Sequence, residues 1–126
     1  MYSDDAVVCA WASRHDVPVR PATSPSSDFL FVVGEPPERA ADGPVRPRRA
    51  VIAYQDSPLP AYAGWHATTW ALLNGETTHG VTWYQPDGGA GRCLARADFA
   101  IAPEDTAFSL DARCFDAALD AFRRLL

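Results

Sequence analysis

The sequence contains no lysine: all eleven basic residues are arginine, against sixteen acidic ones. Lysine-based chemistry such as Schiff-base formation is therefore excluded. A net charge of −5 offers no basic surface for nucleic acid. Cysteine is scarce as well. Cys9, Cys93 and Cys114 stand far apart, and with three histidines they form no zinc-ligand spacing. An odd number of cysteines without a leader reads as free thiols, packed as small core residues. No apolar run approaches the roughly 20 residues of a membrane span. Met1-Tyr2-Ser3-Asp4-Asp5 also lacks the basic-then-apolar start of a secretion signal. A cytoplasmic protein without membrane or nucleic-acid contacts is the expectation.

What is present suffices for a core. With 126 residues, 48% of them hydrophobic, residues 1–126 form one domain of ordinary size. Ser3 is placed to cap a short helix, with Asp4 and Asp5 at its positive end and Val7, Val8 and Trp11 as its apolar side. Val17-Pro18 ends it. Pro21–Ser27 and Glu35–Arg49 read as loops by their proline, serine and arginine content. Asp28–Gly34 and Ala50–Tyr54 are continuously apolar, as buried strands of parallel sheets are.

A Pro-punctuated loop from Asp56 to Gly64 precedes a helix over Trp65–Leu73, closed by Asn74-Gly75. Strands follow at His79–Tyr84 and Arg92–Ile101, around a turn at Asp87–Gly91. The last element is a helix opened by Glu104 and Asp105. On it Phe108, Ala112, Phe115, Leu119, Phe122 and Leu126 make one apolar stripe of the kind that packs a helix onto a core. Strands interleaved with helices give an α/β layout with a mostly parallel sheet.

The loop leaving the second strand holds the residues of chemical interest, because open α/β sheets bind ligands beyond the carboxyl ends of their strands. Tyr54, Gln55, Asp56 and His66 gather there, with Asp87 in the glycine-rich turn. Asp56 either orients a base or forms Asp-Ser-Pro turn chemistry. His66 either donates a hydrogen bond as a neutral imidazole or packs between Trp65 and Trp70. No Gly-x-Ser-x-Gly elbow and no phosphate-cradling loop accompany them. The Asp87–Gly91 glycines have no helix after them, which suits a flexible turn.

Three ordered segments carry a resemblance: Asp56-Ser-Pro-Leu-Pro-Ala-Tyr-Ala-Gly64, Trp70-Ala-Leu-Leu-Asn-Gly-Glu76 and His79-Gly-Val-Thr-Trp83. Together they resemble the formyltransferase family, which includes methionyl-tRNA formyltransferase and sugar- and peptide-modifying formylation domains. Their flavour is similar to members associated with nonribosomal peptide and polyketide assembly lines. The resemblance implies a shortened Rossmann-like α/β fold without the family's opening strand–helix–strand. Its implied activity is formyl transfer from 10-formyltetrahydrofolate to an amine by an Asn, a His and an Asp. Those positions correspond here to Ala53, Gln55 and Gly89, with Asp87 near the vacated third place.

Formyl transfer needs donors aimed at a developing oxyanion and a group to manage the amine proton. Alanine supplies neither, and glutamine donates but takes no proton near neutral pH. Conventional transfer and folate binding are thus not expected, and no other cofactor or metal is implied. Two expectations remain side by side. In one, Asp56, His66, Tyr54, Gln55 and Asp87 do acid–base chemistry on a small or carrier-protein-bound biosynthetic intermediate. In the other, the chain is a non-catalytic scaffold or partner subunit. A third reading keeps folate-dependent transfer with displaced groups. A sheet short of its usual opening is expected to be covered by a second copy or a partner chain.

Overall fold

The structure is a computed structural model that describes residues 6–19, 27–34, 46–88 and 91–126. In chain order the elements are α1 (Ala6–Arg14), β1 (Phe29–Val32), β2 (Ala50–Gln55), α2 (Ala67–Leu73), β3 (Thr78–Gln85), β4 (Arg92–Ala100) and α3 (Ala107–Arg123). Each was expected from the sequence to within a few residues. The proposed Ser3 cap, the greater part of the loop at 21–27 and residues 35–45 lie outside the described residues.

The strands form one sheet in the order β1-β2-β3-β4. The α/β layout is as expected, but the sheet is mixed. Among the described residues parallel pairing is confined to β1–β2, where Phe31 lies beside Ile52. The β2–β3 and β3–β4 pairs are antiparallel. Interleaved helices suggest more parallel pairing, yet only six residues separate β3 from β4, too few for the crossover that a parallel pair needs.

α3 crosses one face of the sheet. Its Ala121 packs with Ile52 and Trp83, and its Cys114 and Ala118 pack with Val81. Trp83 donates its indole N–H to the Ala118 carbonyl at 2.9 Å, tying strand to helix. Thr106 caps α3 reciprocally: its hydroxyl accepts from Ser109 N at 3.2 Å and its own N–H donates to Ser109 Oγ at 2.9 Å.

The helix is rotated from what its sequence stripe suggests. Leu110, Cys114, Ala118 and Ala121 are the buried positions. Phe108, Phe115 and Leu119 are exposed at 84%, 57% and 56%. Small residues allow the close approach to the sheet, and the larger stripe is turned to the outside.

Gly80 shows how tightly β3 and β4 are laid together. A Cβ there would land against Asp98 Oδ1 and lie 2.8 Å from the Ala97 carbonyl oxygen. Because part of that obstacle is backbone, the strands would have to separate. Gly80→Ala should therefore cost about 2 kcal/mol, read as a lowered urea midpoint.

Candidate functional site

Strand alternation divides the candidate residues between two faces. Ala53 pairs with Tyr84 and Gln55 with Thr82, and these four side chains share the face away from α3. Tyr54 pairs with Trp83 on the α3 face, where it packs against the Val81–Cys114–Ala118 cluster.

The loop after β2 is held by three connections. Thr82 Oγ1 donates to the Ser57 carbonyl at 2.8 Å and accepts the Leu59 N–H at 3.1 Å. His79 Nε2 meets the Asp56 carbonyl oxygen at 2.9 Å, and an oxygen acceptor there requires the proton on Nε2. Tyr62 donates its hydroxyl proton to Glu76 Oε1 at 2.7 Å and accepts from Asn74 Nδ2 at 3.0 Å. The three segments singled out in the sequence are thus one interlocked unit. Each supplies the hydrogen-bond partners of another. The sequence motif holds His79 and Thr82 without disclosing their task, although a buried-type strand that carries Val81 and Trp83 signals one by including two polar residues.

Gln55 and Asp56 are brought together at the end of β2. Gln55 Nε2 donates at 2.9 Å both to Asp56 Oδ1 and to the Gly64 carbonyl. Both amide hydrogens are engaged within the chain. Burial pushes the Asp56 carboxyl above the usual carboxylate range, and the Asp111 charge adds to this; its own backbone hydrogen bond, the charge of His79 and the Gln55 amide oppose it. Folding therefore favours the protonated form. Stability contributed by Asp56 is present below its unfolded value of 3.8 and is lost as pH rises through the elevated folded value. Asp56→Asn should raise the urea midpoint at neutral pH and flatten the pH dependence in the window opening upwards from pH 3.8.

The other candidates do not join this pair. The Tyr54 hydroxyl is buried under α3 without a hydrogen-bond partner. Burial, and then the neighbouring Cys114, Asp56 and Asp111, push its ionisation far upward, so it stays a neutral phenol. His66 is exposed at the N-cap of α2 in a left-handed conformation, φ 61°, and its side chain makes no capping bond. Trp65 and Trp70, expected to pack it, are themselves 70% and 55% exposed. Asp87 accepts the Gly91 N–H at 3.0 Å, which is turn chemistry. Gly89 lies outside the described residues.

Of the thiols, Cys114 is buried as expected, and burial followed by the Asp56 and Asp111 charges pushes it up to about 12. Cys93 is exposed, contrary to the expectation of core packing. It lines a small cleft on the face away from α3, about 160 Å³, with Leu59, Pro60, Thr82, Tyr84 and Gly91. That volume is below the roughly 300–1,000 Å³ of ordinary ligand pockets. Among the described residues no His, Cys, Asp and Glu side chains gather into a metal-binding group.

This mixed sheet, with its strand-end loop locked by Thr82, His79 and Tyr62, is matched by a family model described as formyl transferase over residues 45–126. The chain belongs to the formyl transferase family. It is 39% identical over 69 residues to a methionyl-tRNA formyltransferase of Geobacter metallireducens, a match over 53% of this chain and 22% of that protein. Phosphoribosylglycinamide formyltransferase from Brucella melitensis shares the fold at a TM-score of 0.76 and 21% identity, over 99% of this chain and 76% of that one. A sugar 3N-formyl transferase crystallised with dTDP and 5-N-formyl-THF aligns at a TM-score of 0.77 and 18% identity, over 98% and 48% of the two chains. The chain thus spans about a fifth of the curated relative's length.

Proposed function

We propose that this chain is a formyl transferase-family domain that does not perform conventional 10-formyltetrahydrofolate-dependent transfer and acts as a non-catalytic partner subunit in the biosynthesis of a peptide- or polyketide-type metabolite. The observation that carries this reading is Gln55. It stands where the family resemblance expects a histidine, and both its amide hydrogens are bound to Asp56 and Gly64. Beside it the buried Ala53 methyl offers no donor. The interlock of Thr82, His79 and Tyr62 accounts for the kept motifs without a bound substrate. The biosynthetic setting is supported by the flavour of those motifs.

A second reading is favoured by Asp56, whose raised carboxyl at a strand end suits a general acid acting on a small or carrier-protein-bound intermediate. Product formation in the producing cell separates the two. With the subunit reading, deletion of the chain lowers product yield while Asp56→Ala and His66→Ala, both folded, retain it. Loss of product in folded Asp56→Ala would move the assignment to acid–base catalysis.

A further inference from the structure

The exposed stripe of α3 is apolar along the length of the helix. Phe108, Phe115 and Leu119 are exposed at 84%, 57% and 56%, and Leu126 beyond the helix end at 86%. The stripe continues through the half-buried Phe122 onto the sheet: its ring meets Phe31 edge-on at 5.0 Å, and Phe31 is itself 37% exposed. A hydrophobic face of this extent on a small chain marks an interaction surface.

The order of residues along α3 fits a second copy of the same helix. Phe108, Phe115 and Phe122 recur every seven residues, and Ala112, Leu119 and Leu126 do the same four residues later. Such a pattern is a two-helix seam. With the two helices antiparallel about a two-fold axis, midway between Phe115 and Leu119, each Phe115 faces the other copy's Leu119. Phe108 then faces the Leu126 end, while Phe122, whose ring packs on Phe31 and Trp83 of its own chain, borders the seam on the sheet side.

Charge follows the same symmetry. Asp116 and Arg123 flank the seam on one side, and in an antiparallel pair equal sides meet. Side chains lean toward the N-terminus of their own helix. This carries Arg123 of one copy toward Asp116 of the other, twice about the axis. The Asp120–Arg123 ion pair of the single chain, with side chains 66% and 75% exposed, is weak enough to exchange. Antiparallel helix dipoles add to the fit.

We infer that the outer face of α3 is a homodimer interface: an antiparallel α3–α3 seam centred on Phe115 and Leu119, with two Asp116–Arg123 pairs between copies.

Analytical ultracentrifugation of the full chain tests it. At tens of micromolar the wild type is expected at twice the 13.7 kDa of one chain. Leu119→Glu and Phe108→Glu should each weaken association by about 100-fold or more, with unchanged far-ultraviolet circular dichroism. Asp116→Arg alone and Arg123→Asp alone should each weaken it about tenfold, and the double exchange should restore it to within about threefold. A monomer at every concentration overturns the inference. So does a dimer indifferent to both glutamate variants, and a double exchange that restores nothing overturns the antiparallel seam.

Discussion

Trp83→Ala is expected to lose about 4 kcal/mol of stability, a large fraction of the roughly 5–15 kcal/mol that native domains have. Trp83 is 6% exposed and stands between the sheet and α3. Its ring packs against Phe122 at 5.2 Å, Tyr54 at 5.4 Å and Phe31 at 6.2 Å between centroids. Its N–H is the strand-to-helix hydrogen bond to Ala118. Removing the indole leaves a void among aromatic residues that cannot all close on it, and strips a buried carbonyl of a donor. The urea midpoint should fall by about 2 M. Trp83→Phe, which fills much of the void, should lose about half as much. An alanine variant within about 1 kcal/mol of wild type would contradict this account of the core.

Thr82→Val should cost about 3 kcal/mol, although it exchanges groups of nearly equal volume. Thr82 is fully buried, and its hydroxyl both gives to Ser57 O and takes from Leu59 N. Valine leaves two buried backbone groups without that partner, in a loop whose shape they set. Thr82→Ser keeps both bonds and should cost about 1 kcal/mol, for the lost methyl. The contrast between valine and serine separates hydrogen bonding from packing. Hydrogen exchange adds a second readout: the Leu59 amide should lose protection in the valine variant and keep it in the serine variant. Equal losses in both variants would assign Thr82 to packing alone.

The elements were legible because local signals coincided with them. Ala50–Gln55 is apolar enough to announce a buried strand, and Asn74-Gly75 marks the end of α2 where the chain turns away. Pairing direction was less legible, since it depends on how connections route the chain and no single strand encodes it. The rotation of α3 was hidden for a different reason. Helical periodicity identifies an apolar stripe but not which of two stripes meets the sheet. Here Ala118 and Ala121, small and inconspicuous, occupy the contact, while Phe108 and Phe115 take the outside.

The site was legible in its residues and not in its arrangement. Asp56 and Gln55 are neighbours in sequence and remain so in space. Tyr54, one residue earlier, points through the sheet to the α3 face by strand alternation alone. His66 and Asp87 were candidates by type, yet one lies exposed at a helix start and the other closes a turn. Proximity to a strand end brought these residues to notice, but a shared face and a shared hydrogen-bond network decide a site.

Folate binding is the decisive property. Isothermal titration of the purified chain with a non-hydrolysable 10-formyltetrahydrofolate analogue measures it, since the Ala53 and Gln55 side chains provide neither a free donor nor a base for the formyl group. No saturable heat up to millimolar analogue is the predicted result. Saturable binding at micromolar concentration, together with formyl transfer to an amine acceptor, would contradict it.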